Sequence, residues 1–135
     1  MTTAIEQAAA QARLIIATEV VKQNGMWGDA NDRADITKGQ LLGASAAQLV
    51  AVWSANFEPQ ISRETAFAVA KESLYPADWG GFRDYGSDIA NLAVVGAYVE
   101  NEIKRRILNG ESTYRKPRDL ATQPFDGSCQ PNPGA

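Results

Sequence analysis

Apolar residues recur along most of this chain at intervals of three and four, the repeat of a helix with one buried stripe. The clearest run starts at Ile89 and continues through Leu92, Val95, Gly96, Val99, Ile103 and Ile107. Ser87 stands where its oxygen can take a first-turn N–H, and Asp88 favours the positive end of a helix dipole. Lys104, Arg105 and Arg106 fall in the last turns, and Gly110 can take a left-handed stop. The pattern predicts a helix of about six turns, with Leu92, Val99 and Ile103 almost wholly buried.

Three shorter stretches are read as covering it. Residues 3–24 carry Ile5, Ala9, Ala12, Ile16 and Val20 on one stripe, with Gly25 as a stop signal. Residues 38–55 follow a capping Thr37, with Leu41, Leu42, Ser45, Leu49, Val52 and Trp53 inward and small residues between them. Residues 63–73 follow Ser62, with Ala66, Phe67, Ala70 and Leu74 inward. Pro76 and the Gly80-Gly81 pair interrupt the pattern before the last helix. No stretch alternates with a period of two. The fold class predicted is all-α: a compact bundle of about four helices, with a long aromatic loop before the last core helix. Residues 1–110 form the helical domain. Residues 111–135 hold four prolines and little periodicity, which predicts a flexible C-terminal tail.

Composition narrows the chemistry. The chain of 135 residues has no histidine, which removes His-dependent acid–base and triad catalysis and His metal ligation. The single cysteine, Cys129, allows no internal disulfide and no thiolate zinc site. Thirteen basic against 16 acidic residues give no overall excess for nucleic acid, and the local cluster from Lys104 to Arg118 reads as a helix end plus a solvated tail. No signal peptide and no membrane span are read in the sequence, so a cytoplasmic location is expected.

Two constellations carry candidate chemistry. Glu19, Asp29, Asp32, Asp35 and Asp88 can meet at one end of a bundle, and clustered carboxylates suit magnesium. The plainer role of loop aspartates is in caps and turns. The aromatic loop, with Tyr75, Trp79, Phe82 and Tyr85, can stack a base together with Trp27, but such rings more often plug the open end of a bundle.

Residues 19–106 resemble a family of small, mostly uncharacterised proteins of tailed phages and prophages. The shared features are Glu19 and Gln23, Met26-Trp27, Asp35, Gly39-Gln40-Leu41, Ala44 and Ala47, the Tyr75-Pro76-x-Asp78-Trp79 loop, Asp88, and Glu102-Ile103-x-Arg105. The resemblance implies a compact helical fold, phage origin and no set activity. A weaker similarity runs to MazG-like nucleotide pyrophosphohydrolases, which hold magnesium on helical carboxylates. It implies Glu19, Asp35, Asp88 and Glu102 as metal ligands, with Trp27, Trp79, Tyr75 and Arg83 binding the ligand. Those enzymes need an E-x-x-E pair on a central helix, and residues 37–55 contain no acid. The segment from Phe125 to Gly134 is similar to the opening strand of type I ribonuclease H, without the rest of that active site. The function expected is an accessory protein without a cofactor, binding a host or phage protein or associating with itself. The alternative is a magnesium-dependent nucleoside triphosphate pyrophosphohydrolase.

Overall fold

Local signals start and stop the helices as the sequence suggests. Thr3 and Glu6 exchange hydrogen bonds in a capping box: Thr3 Oγ1 accepts from Glu6 N at 3.1 Å, and Glu6 Oε1 accepts from Thr3 N at 2.9 Å. The Ser62 and Ser87 side chains each accept an N–H three residues on. In the computed structural model, which describes residues 2–27 and 39–111, the described residues form four helices and no strand. The helices are α1 (Ala4–Trp27), α2 (Gln40–Phe57), α3 (Arg63–Leu74) and α4 (Asp88–Leu108). Thr3, Ser62 and Ser87 cap three of them, while α2 begins after Gly39 without a side-chain cap. Gly110, at φ +87°, ends α4 as predicted. Gly25 does not end α1, which runs on to Trp27. Thr37, Asp29, Asp32, Asp35 and the tail from residue 112 lie outside the described residues.

The helices lie in the order α3, α2, α4, α1. Ser45 meets Val95 and Gln48 meets Asn91, so α2 and α4 are antiparallel. Gly43 of α2 sits under the Leu74 carbonyl at the end of α3, and Val52 shares a cluster with Phe67 near its start, which makes that pair antiparallel too. Ile16 lies against Gly96 and Gln23 against Asn101, so α1 runs parallel to α4.

The core is built on small residues. Ala44, Ala47 and Ala51 of α2, Ala66 and Ala70 of α3, and Ala93 and Ala97 of α4 are buried. They let the helices approach closely, around Leu41, Val52, Phe67, Tyr75, Val94 and Tyr98. This corrects the predicted orientation of α4. Its buried face is Asn91, Val94, Ala97, Tyr98, Asn101 and Glu102, whereas Leu92 is 44%, Val99 39% and Ile103 53% exposed. The same substitution of small for large inward residues occurs on α2, where Leu42, Leu49 and Trp53 face out and Ala44, Ala47, Gln48 and Ala51 face in. On α3, Ala66, Phe67 and Ala70 are inward as expected and Leu74 is exposed. The physical reason is that close packing rewards the face that fits, not the face with the largest side chains. None of the described helices is long and apolar enough to cross a membrane.

Candidate functional site

Three arrangements on this scaffold bear on function: a polar clamp at the start of α4, a charge cluster at its end, and an apolar groove beside α1.

The clamp ties the aromatic loop to three helices. Buried Gln48 donates from Nε2 to the Arg83 carbonyl and to Asn91 Oδ1, both at 2.9 Å. Asn91 Oδ1 also accepts from Tyr85 N, and Asn91 Nδ2 donates to Asp84 Oδ1 at 3.0 Å. The Arg63 guanidinium bridges Asp84 and Asp88, reaching Asp88 Oδ1 at 2.9 Å, and Asn56 Nδ2 donates to Asp88 Oδ2 at 3.0 Å. Arg63, with help from Asn91, holds the Asp84 carboxyl well below the usual carboxylate range. Asn56 and then Arg63 also lower the pKa of Asp88. Asp88 is therefore a helix-start residue whose two oxygens are already engaged.

The second cluster closes the other end. The Glu102 carboxylate, 3% exposed, receives Arg105 through Nε and Nη2 at 2.9 and 3.0 Å and Arg106 Nε at 2.7 Å. These bonds, Arg105's first, lower its pKa against the cost of burial. Nearby, Asn101 Nδ2 donates to Gln23 Oε1 at 3.2 Å, joining α1 to α4. Glu19 lies one turn before Gln23, partly buried.

Asp88 and Glu102 share a side of α4, but fourteen residues separate them by about 21 Å along the axis. They cannot hold one ion. Among the described residues no three acidic or thiol side chains come together in a way that suits a metal. Of the acids suggested by the pyrophosphohydrolase likeness, Asp88 and Glu102 lie at opposite ends of α4, each paired with arginine, Glu19 lies on α1, and Asp35 lies outside the described residues. Asp88 and Glu102 already face arginines, whereas a magnesium site needs carboxylates left to the cation.

The aromatic loop is part of the core. Tyr75 is buried, with its hydroxyl donating to the Gly80 carbonyl at 2.7 Å. Its ring meets Phe82 at 5.1 Å and Trp79 edge-on at 6.2 Å. Trp79, Phe82 and Tyr85 pack on the cluster around Leu41 and Val94. Arg83 lies over the Tyr85 ring, 4.7 Å from its centre. Of the residues suggested for ligand binding, Tyr75 and Trp79 plug the bundle and Arg83 lies over Tyr85. Trp27 ends α1.

The groove was not foreseen. Between the first half of α1 and the start of α4 lies an open apolar cleft of about 380 Å³, lined among others by Ala8, Ala12, Ile15, Leu92 and Ala93. It continues into the exposed stripe of α4. The alanine content of residues 8–12 was the available sign: a helix apolar on several sides has more to cover than one neighbour can reach.

No family model, curated protein or solved structure matches this chain.

Proposed function

We propose that this chain is a non-catalytic accessory protein that works by docking a protein surface against its α1/α4 face. One observation carries this reading: the apolar stripe of α4 lies outside the core. Ile89, Leu92, Val99, Ile103 and Ile107 of one helix are all exposed, on the side where the groove opens. Contiguous apolar surface of this extent marks an interaction site. The likeness of residues 19–106 to small tailed-phage proteins supports an accessory role, with a host or phage protein as the partner class.

The test is a comparison of wild type with Leu92→Asp/Ile103→Asp as immobilised bait. Wild type should retain a partner that the variant loses, while both give the same helical circular dichroism. Equal retention would contradict the docking reading. On the same reading, magnesium leaves the melting temperature unchanged and nucleoside triphosphates are not turned over. Pyrophosphate release that disappears in Glu102→Gln would instead establish the pyrophosphohydrolase.

A further inference from the structure

Helix α2 has no charged residue in its 18 positions, yet a whole side of it is uncovered. A helix that is apolar all round is normally buried all round. Gln48 faces inward under the aromatic loop, and Leu41, Ala44 and Ala51 are buried with it. Leu42, Leu49, Trp53 and Phe57 recur at the spacing of another side and are exposed, Trp53 at 53% and Phe57 at 69%. The two aromatic rings stand 6.1 Å apart.

That side is continuous with the outer side of α4. The bonds from Ser45 to Val95, from Gln48 to Asn91 and from Asn56 to Asp88 fix the register. They put Leu42 level with Val99, and Leu49 and Trp53 level with the turn that holds Leu92. Gln48 and Asn91 meet on the loop side, and Leu49 and Leu92 each stand about 100° further round. In an antiparallel pair both rotations turn toward the same side of the layer, here away from the loop. Leu42, Leu49, Trp53, Phe57, Leu92 and Val99 therefore make one face across two helices.

This face has the area and the shape to pair with itself. The exposed fractions of those six residues leave on the order of 600 Å² of apolar surface per copy, against roughly 500 Å² in a standard interface between identical subunits, which is about 800 Å² per partner and about 65% apolar. A two-fold axis running along the helices keeps each residue at its own level, so α2 of one copy lies antiparallel on α4 of the other. Leu42 then meets Val99 of the other copy and Trp53 meets its Leu92, which brings all six into one contact. Ile103 and Ile107 reach past the start of α2 and are not counted. Two helix pairs stacked in this way close an up-and-down four-helix bundle. The middle of the face holds no charge, so it offers a different protein no ion pair to select it, and a copy of itself needs none.

We infer that two copies of this chain associate through their α2/α4 faces, with α2 of each on α4 of the other. The inference goes beyond the docking reading above. Leu92 and Val99 border both faces, but the groove, Ile89, Ile103 and Ile107 stay open to a different partner. Sedimentation equilibrium over a wide dilution series tests it. Wild type should reach twice the 14.5 kDa chain mass. Leu49→Asp and Trp53→Asp, which place a charge on the face, should each weaken the dimer about tenfold or more. Ile5→Asp on α1 and Val69→Asp on α3, both at exposed positions off this face, should leave it unchanged. Circular dichroism at high dilution should show every variant as helical as wild type, because all four positions are exposed in the single chain. Tryptophan emission gives a readout that needs no charged variant. It should shift to longer wavelength as wild type dissociates, and Trp53→Phe, which keeps a ring there, should dimerise without that shift. A wild type that stays monomeric throughout overturns the inference, and the docking reading is then judged by the bait comparison alone. A dimer that survives both Leu49→Asp and Trp53→Asp, or that dissociates with no change in emission, also overturns it.

Discussion

The two sides of α4 differ in a way that hydrophobicity alone does not rank. The inner side buries two amides, a carboxylate, a tyrosine and small apolar residues; the outer side shows leucine, valine and three isoleucines to solvent. The inner side is held by fit and by hydrogen bonds, although Asn101 Oδ1 is buried without a partner. Gln48 and Asn91 use each other and the loop backbone, and Glu102 is neutralised by two arginines. The outer side meets α1 where Gly96 lies against Ile16, and its large apolar residues remain exposed. Buried side chains are polar here where most of their polar atoms find partners, as Gln48, Asn91 and Glu102 do.

Truncation should separate the two sides most sharply. Tyr98→Ala, on the inner side, should cost about 3–5 kcal/mol, the range for removing a large buried ring. Leu92→Ala, on the outer side, should cost less than about 1 kcal/mol in the monomer, well below the value for a buried leucine. Denaturant titration at high dilution, which keeps association out, measures both. Equal costs would erase the distinction.

Two glycines sharpen the comparison at the backbone. A Cβ on Gly43 would stand 2.8 Å from the Leu74 carbonyl oxygen, which cannot move without shifting the end of α3. Gly43→Ala should lose about 1–3 kcal/mol, as overpacking does. A Cβ on Gly96 would meet only the Ile16 side chain, at 3.0 Å from its Cδ1. That side chain can turn aside, and the gain in helix propensity of about 1 kcal/mol should make Gly96→Ala neutral or stabilising. Loss of the same size at both sites would mean that α1 is as firmly fixed as α3.

The smallest effect concerns the clamp. The folded pKa values of Asp84 and Asp88 are depressed, so their contribution is present above the unfolded value near 4 and is lost as pH falls through the folded values. Arg63→Met should therefore destabilise at neutral pH and converge with wild type in strong acid. Both carboxylates are about a third exposed and screened, so the difference should stay below about 1 kcal/mol. A gap that persists unchanged in acid would assign Arg63 a packing role, through the Phe67 ring it covers at 5.2 Å.

What was legible in the sequence was local. Ser62, Ser87 and Gly110 act through their own backbone neighbours, so the ends of α3 and α4 could be read directly. The orientation of α4 was not legible, because it depends on residues distant in sequence. Gln48 and Asn91 are 43 residues apart, and Asn101 and Gln23 are 78 apart. Counting large apolar residues picked the stripe that faces out and passed over the alanines that make the core. The acids were found as residues but not as partners: the bond from Arg63 to Asp84 crosses 21 positions. The shared side of Asp88 and Glu102 follows from helical spacing, while their separation along the axis rules out a common ion.

The central claim is that the outer stripe of α4 is a docking face and not a core face. Its most direct test is the unfolding free energy of Leu92→Asp, measured by denaturant titration at the lowest usable protein concentration. The account gives a cooperative transition within about 0.5 kcal/mol of wild type, as for an ordinary surface substitution. A variant that fails to fold, or loses several kcal/mol as an unpaired buried charge would cause, would contradict it.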